Sequence, residues 1–256
     1  MNILLVGSQG KMATKIKEIA EQNKATIIAE IDKNFCSTFR CKKLASNDDN
    51  LKTSNRKTDI KKSHKYQYKK FCEIPSNIIK KIDVVLDFSN PEILKDELMF
   101  CSQNKLPLAL CTTGQNRASF DLVNEYAKTV PIFMSSNTSF GINLVCNILK
   151  NFCQYFDSYD IDIVEYHHKN KIDCPSGTAT ELAKILHNYS PHIHSIRAGD
   201  IVGKHDILLS SQYDQITISH QAFDRKLFAK GALDICHFLN RDIPPKLYTM
   251  NDIFNN

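Results

Sequence analysis

The chain has 256 residues, 42% of them apolar, and a formal charge of +5, which is enough length to bury a full core as one large domain or two intertwined smaller ones. Its nine cysteines, an odd number with no CxxC pair, form no disulfide framework, and no apolar run approaches bilayer-spanning length, so a reducing cytoplasm and no membrane association are expected. The positive charge is local: residues 40 to 70 hold eleven Lys or Arg against three Asp, a balance of +8 that leaves −3 elsewhere, and with only Tyr66 and Tyr68 to stack on bases the run reads as a solvated loop, so no nucleic-acid partner is expected.

In chain order, Ile3 to Val6 reads as a strand that runs straight into a glycine turn, Gly7 to Gly10, and not as an export leader. Met12, Ile16 and Ile19 then recur at helical spacing from about Lys11, and a second strand, Thr26 to Ile31, ends on Asp32. The polar stretch from about 40 to 75 lacks apolar periodicity and is expected to contribute no core element. Order resumes at Ile82: Asp83 to Phe88 is a near-continuous apolar run of the kind buried on both faces of a parallel sheet, and Asn90-Pro91 opens a helix. Short strands at Leu108 to Leu110 and Ile132 to Met134 flank a helix near Phe120 to Ala127. This alternation predicts a doubly wound parallel sheet. After about residue 139 the rhythm changes to a helix near Ile142 to Cys153, an alternating strand through Ile161, Ile163 and Glu165, a helix from Thr178, and strands near Ser195, Ile207 and Ile216. That pattern predicts a second sheet-and-helix unit.

The turn Gly7-Ser8-Gln9-Gly10-Lys11-Met12-Ala13 follows a strand and opens a helix, the setting in which exposed backbone N–H groups receive a pyrophosphate. The spacing is GxxGxxA, and a ligand-free turn can use the same glycines; Asp32, placed to accept hydrogen bonds from an adenosine ribose, tips the reading toward a dinucleotide. Lys33 either pairs with a 2′-phosphate or is a plain solvated lysine, so both NADH and NADPH are expected to serve.

The most informative segment runs Glu165-Tyr-His167-His168-Lys169-Asn170-Lys171-Ile-Asp173-Cys174-Pro175-Ser176-Gly177-Thr178-Ala179. Adjacent side chains on a strand face opposite ways, so His167 and His168 share a site only if the strand ends there. The first N–H groups of the following helix, near Gly177 and Thr178, together with Lys171, suit a substrate carboxylate. Three other readings compete: a zinc site from the histidines with Asp173 and Cys174, which lacks metal-ligand spacing; a Ser176 nucleophile, which lacks a GxSxG elbow and is better read as a helix cap; and two structural histidines. No metal is expected.

This segment resembles the signature E-x-H-H-x-x-K-x-D-x-P-S-G-T-A of the 4-hydroxy-tetrahydrodipicolinate reductase family. The similarity extends through GSQGKMA at Gly7, VVLDFSNPE at Val84, CTTG at Cys111, SSNTSFGINL at Ser135, SIRAGDIVGKHDI at Ser195 and ISHQAFDRKLFAKGAL at Ile218, nearly the whole chain except about 40 to 75. The resemblance implies a Rossmann-like cofactor domain, residues 1–138 closed by 226–256, around an α/β substrate-binding and tetramerisation domain, residues 139–225. It implies NADH or NADPH as cofactor, a small dicarboxylate as substrate and a homotetramer. It further implies that His167 is the catalytic histidine and Lys171 the proton-donating lysine, while His168, Gly177 and Thr178 hold substrate carboxylates and Arg225 is a further substrate contact. Gly7, Ser8, Gln9, Gly10, Lys11, Met12, Asp32, Lys33, Cys111, Thr112, Thr113, Ser135, Ser136, Asn137 and Thr138 fall where the family contacts the cofactor. The chain departs from the family pattern at Cys111 (usually Gly), Thr138 (usually aromatic), Ala13 and Lys204 (usually Glu). A reductase of another small dicarboxylate would keep the cofactor motifs without the 167–178 block, and a non-catalytic dinucleotide sensor would lose His167 and Lys171.

Overall fold

The structure is a computed structural model and describes residues 1–33 and 66–254. Most of the Lys-rich stretch, residues 34–65, therefore lies outside the described residues. The chain begins with β1 (Asn2–Val6), α1 (Lys11–Ile19) and β2 (Thr26–Ile31). Then come β3 (Tyr66–Tyr68), α2 (Ser76–Ile79), β4 (Val84–Asp87), α3 (Leu94–Asn104), β5 (Leu108–Leu110), α4 (Arg117–Tyr126) and β6 (Ile132–Met134). A single 3₁₀ turn, Pro91–Ile93, precedes α3, with the Asn90 side chain accepting from the Glu92 N–H, so the proline-initiated helix starts as a tighter turn.

β3 corrects one expectation. The stretch read as contributing no core element supplies an edge strand paired parallel to β2, and Tyr68 is 4% exposed. Lysines on both sides of Tyr66-Gln67-Tyr68 hide the strand, yet an edge strand needs apolar side chains on one face only.

In β1, Ile3 and Leu5 face one way and Leu4 and Val6 the other, and all four are fully buried. A strand can sustain that only between two helical layers. On the first face Ile3, Leu5, Val84, Leu86, Ala109 and Phe133 pack against Ala13 and Ile16 of α1. On the second, Leu4, Val6, Val85, Leu108, Leu110 and Ile132 pack against Leu94, Leu98 and Cys101 of α3 and Val123 of α4.

The second unit comprises α5 (Phe140–Phe152), β7 (Asp160–His167), α6 (Gly177–Ile185), β8 (His192–Arg197), β9 (Gly203–Ser210) and β10 (Gln215–Ala222). Its four strands lie in the order β10-β9-β7-β8, with β7 parallel to β8 and antiparallel to β9. Ile161, Ile163, Ile207 and Leu209 on one face pack against Ile142, Val145 and Leu149 of α5 and Ala179 and Leu182 of α6. The opposite face, with Val164, Tyr166 and Ile196, is partly exposed.

The chain then returns through α7 (Lys226–Leu239), β11 (Leu247–Tyr248) and α8 (Met250–Phe254). α7 buries Ala229, Ala232, Leu233, Ile235 and Cys236 beside α1, and β11 pairs parallel to β6. The first sheet thus has the order β11-β6-β5-β4-β1-β2-β3, parallel throughout. Strand order reverses between β1 and β4, and such a switch point opens a crevice at the C-terminal ends of the strands.

Candidate functional site

The β1–α1 turn lies at that crevice. Gly7 has φ +77°, and a Cβ there would meet the Phe88 carbonyl oxygen at 2.5 Å, so only glycine lets β1 pass this close to the end of β4. The Gly7 N–H donates to the Ile31 carbonyl at 2.9 Å and the Gln9 N–H to Asp32 Oδ2 at 2.9 Å, which ties the turn to the acidic end of β2. Gly10 caps α1 without a side-chain acceptor, no acidic residue stands in the first turn, and buried Ser8 Oγ has no hydrogen-bond partner. Orphan amides at a helix start beside a close-packed glycine suit a pyrophosphate. The residues present therefore fit a dinucleotide.

Two cavities flank the switch point and share Phe88 and Ser89. One, of about 360 Å³, is lined by Gly7, Gln9, Gly10, Asp32, Lys33 and Lys69. The other, of about 330 Å³, is lined by Met12, Cys111, Thr112, Thr113, Ser136, Asn137, Thr138 and Phe228. Twelve of the fifteen cofactor positions expected from the sequence line these two cavities. Of the others, Ser8 is buried beneath the turn, Lys11 is exposed on α1, and Ser135 faces a neighbouring cavity with its hydroxyl donated to the Asn137 carbonyl. Lys69, Phe88, Ser89 and Phe228 were not singled out from the sequence. Cys111 and Thr138 both line the second cavity, so these departures touch it directly. Burial pushes the Cys111 thiol well above its ordinary range, and Cys111 is an uncharged wall residue. Thr138 donates its hydroxyl to the Phe228 carbonyl at 2.7 Å, which fastens the β6–α5 loop to α7.

β7 ends at His167, so the change of direction that lets His167 and His168 share a site is present. His167 is buried, while Arg225 Nη2 donates to His168 Nε2 at 3.4 Å, bringing the Arg225 candidate to the same edge. Lys171 Nζ lies 2.9 Å from Asp173 Oδ1, and this hydrogen bond leads the causes that hold the Asp173 carboxyl below its ordinary range. Ser176 accepts from the Ala179 N–H at 3.2 Å and so caps α6, as its sequence setting indicated. A Cβ on Gly177 would meet nothing within 4 Å, so the start of α6 is open. Thr178 Oγ1 accepts from Asn137 Nδ2 at 3.2 Å. That bond joins the wall of the second cavity to the expected carboxylate site.

Around His167 the structure gathers residues to which the sequence assigns no role, Glu165 of the signature among them. Glu165, fully buried two positions earlier on the same face of β7, accepts from His167 Nδ1. Its other donors include Arg197 Nη1 at 2.9 Å, Arg197 Nη2 at 2.6 Å and the Ser176 N–H at 3.2 Å. Burial pushes the Glu165 carboxyl up, but the hydrogen bonds from Arg197, Ser195 and His167 outweigh it and bring the pKa to about 2. Burial lowers the pKa of His167, with Glu165 opposing the shift and Lys171 and Arg197 adding to it. His205, edge-on to His167 at 5.3 Å and 3.3 Å from Ser176 Oγ, is lowered to about 4, chiefly by burial. Lys204 points to the other face of β9, where it pairs with Asp206 at 2.7 Å, so this departure leaves the site untouched.

Among the described residues, one set of metal-type side chains converges: Glu165, His167 and His205, with atoms within 4.8 Å of one another. Both Glu165 oxygens already accept from Arg197, whose positive charge opposes a cation there. His167, His168, Asp173 and Cys174, the set weighed for zinc, do not converge.

Models of the two halves of one family match almost the whole chain: the dihydrodipicolinate reductase N-terminus over residues 1–138 and the C-terminus over 141–254. A 4-hydroxy-tetrahydrodipicolinate reductase of Clostridium tetani is 34% identical over 277 aligned positions, covering 100% of this chain and 97% of the relative. That of Clostridium botulinum is 38% identical over 202 positions, 71% of this chain and 80% of the relative. Among solved structures, a dipicolinate-bound dihydrodipicolinate reductase from Paenisporosarcina sp. TG-14 has the same fold, with a TM-score of 0.73 at 19% identity and 98% of each chain covered. The chain belongs to the dihydrodipicolinate reductase family.

Proposed function

We propose that this protein reduces 4-hydroxy-tetrahydrodipicolinate to tetrahydrodipicolinate with NADH or NADPH, a step of diaminopimelate and lysine biosynthesis. The observation that carries the reading is the Asn137–Thr178 hydrogen bond, which joins the lining of the second cavity to the open start of α6, the helix that follows the His167–Lys171 segment in the chain. The names of the relatives point the same way. The substrate loses water to give an unsaturated cyclic imine, which gains a hydride and a proton to give the product. The nicotinamide supplies the hydride. The amides of the Gly7 to Met12 turn would receive the pyrophosphate, Asp32 and Lys33 the adenosine ribose, and Cys111 to Thr113 with Ser136 to Thr138 would wall the ring, Ser135 bracing that loop from a neighbouring cavity. Gly177, Thr178 and His168 hold carboxylate, and His167 and Lys171 deliver the proton to the enamine left by hydride addition. Lys171 must exchange its Asp173 partner for substrate as it does so.

In this reading residues 1–138 and 226–256 form the cofactor domain and 139–225 the substrate domain. The partly exposed face of the four-stranded sheet, with Val164, Tyr166 and Ile196, supports a homotetramer built sheet to sheet. Free cysteines throughout the described residues, and no helix among them long and apolar enough to cross a membrane, agree with action in the cytoplasm. The test is oxidation of NADH and of NADPH, followed at 340 nm, with substrate freshly generated by the preceding synthase reaction. Turnover that depends on that substrate supports the reading, whereas cofactor binding without turnover would point to a dinucleotide sensor.

A further inference from the structure

The buried carboxylate of Glu165 touches neither cavity, and the proposed chemistry assigns it no step. We infer that Glu165, held by Arg197, is the positioning residue of this site: it fixes His167 as the Nδ1–H tautomer with Nε2 as the nitrogen that exchanges the proton, and it sets the start of α6 in register with that imidazole. The inference rests on the proposed role of His167.

The geometry builds from strand register. Ile161, Ile163, Glu165 and His167 share the buried face of β7, so the third and fourth positions of an apolar ladder are a carboxylate and an imidazole. Beside them, β8 is parallel and pairs Glu165 with Ser195 and His167 with Arg197, which delivers a guanidinium to the carboxylate. A fully buried carboxylate without a cation would take up a proton. The two-pronged contact from Arg197, 2.9 and 2.6 Å, keeps it an anion and a pure acceptor. His167 Nδ1 must then donate, so Nε2 is the nitrogen that takes up a proton, and the imidazolium so formed, favoured by Glu165, can deliver it.

The same hub holds the loop that carries the other proposed groups. Arg197 Nη2 also donates to the Asp173 carbonyl at 2.7 Å, and Asp173 pairs with Lys171. The Ser176 N–H donates to Glu165 Oε1, and Ser176 caps α6 just before Gly177 and Thr178. A Cβ on Gly203 would lie 3.1 Å from His167 Nε2, so the absence of a side chain there leaves room beside that nitrogen. One carboxylate therefore links the histidine, the lysine loop and the carboxylate-binding helix start.

A structural carboxylate and a positioning one differ in what their removal does through His167. Glu165→Gln should lower kcat on the order of 10²-fold, leave NADPH affinity within about twofold, and move the kcat limb assigned to His167 to lower pH, because the carboxylate is the one group facing the imidazole that favours its charged form. Lys171 and Arg197 oppose that form, and His205 stays neutral. In a His167→Ala background the same substitution should lower kcat by less than about tenfold, the remainder acting through the Lys171 loop and the start of α6. A wild-type measurement needs no variant to fold: with ¹⁵N-labelled histidine, the His167 signal, identified by its loss in His167→Ala, should show the Nδ1–H tautomer. An Nε2–H tautomer, near-normal kcat in folded Glu165→Gln, or an undiminished loss in the His167→Ala background would overturn the inference and leave the reductase reading standing. Near-normal kcat in His167→Ala would instead remove the role of His167, and the inference with it.

Discussion

Gly231 sits in α7 where that helix crosses the β6–α5 loop, and a methyl group built on it would lie 1.7 Å from the Thr138 carbonyl oxygen and 2.8 Å from its carbon. Gly231→Ala therefore forces two backbones apart by more than about 1 Å before ordinary contact is restored. Overpacking of this kind costs about 1–3 kcal/mol. Alanine returns roughly 1 kcal/mol through its better helix propensity, so the net destabilisation is about 0–2 kcal/mol, toward the upper end for so close an approach. The displaced element matters more than the sum, because Thr138 and Phe228, joined by a 2.7 Å hydrogen bond, both line the cavity proposed for the nicotinamide. If the loop yields rather than the helix, NADPH affinity should fall about tenfold, equivalent to ~1.4 kcal/mol. Differential scanning calorimetry and a cofactor fluorescence titration measure the two effects. Gly177→Ala is the contrast: its Cβ meets nothing within 4 Å, so the melting temperature should hold or rise. A Gly231→Ala protein that melts and binds NADPH as wild type would refute the packing argument.

Lys33→Ala should weaken NADPH more than NADH, because only NADPH offers a phosphate to the ammonium, and Asp32→Ala should mainly weaken NADH; equal losses in titrations with both nicotinamides would remove Lys33 from the ribose site. Gly7→Ala, which meets the Phe88 carbonyl at 2.5 Å from a φ of +77°, should abolish cofactor binding at micromolar concentration, as read by equilibrium dialysis. Acid sensitivity follows from the buried groups. The folded pKa of His205, about 4, lies below its ordinary 6.5, so the unfolded chain binds the extra proton and the contribution of His205, present above pH 6.5, is lost as pH falls toward 4, by about 3 kcal/mol. Glu165, at about 2 against 4.5, adds a second loss between pH 4.5 and 2. His205→Asn should flatten the decline in melting temperature between pH 6.5 and 4, and an unchanged slope would show that His205 does not carry it.

The elements that the sequence disclosed are those whose burial follows a period. The central strands of the first sheet are buried on both faces and read as apolar runs, and Leu108–Leu110 and Ile132–Met134 were placed to the residue. Two kinds of element escaped notice. Edge strands β3 and β11 need only two or three residues with one buried face, too few for a period. The helix α7 was assigned to the cofactor unit only through family resemblance, although its pattern of Ala229, Ala232, Leu233 and Cys236 is helical. In the site, the glycine turn and the 165–179 segment are each a short continuous run, and Asp32 closes a strand at a fixed distance from the turn, so all three are legible in the sequence. Arg197 and His205 reach His167 only through the register of β8 and β9, which a single sequence does not encode locally. One signal was available: a glutamate at the third inward position of an otherwise apolar strand has to be paired with something.

Steady-state kinetics of His167→Ala, Lys171→Ala and Thr178→Ala beside wild type, with NADPH dissociation constants measured on the same preparations, decide whether one segment divides proton transfer from carboxylate binding. kcat should be lower by about 10²- to 10⁴-fold for the first two, with a raised KM and largely retained kcat for the third, and cofactor affinity little changed in all. A folded, cofactor-competent His167→Ala enzyme that forms tetrahydrodipicolinate with near-normal kcat would contradict that division.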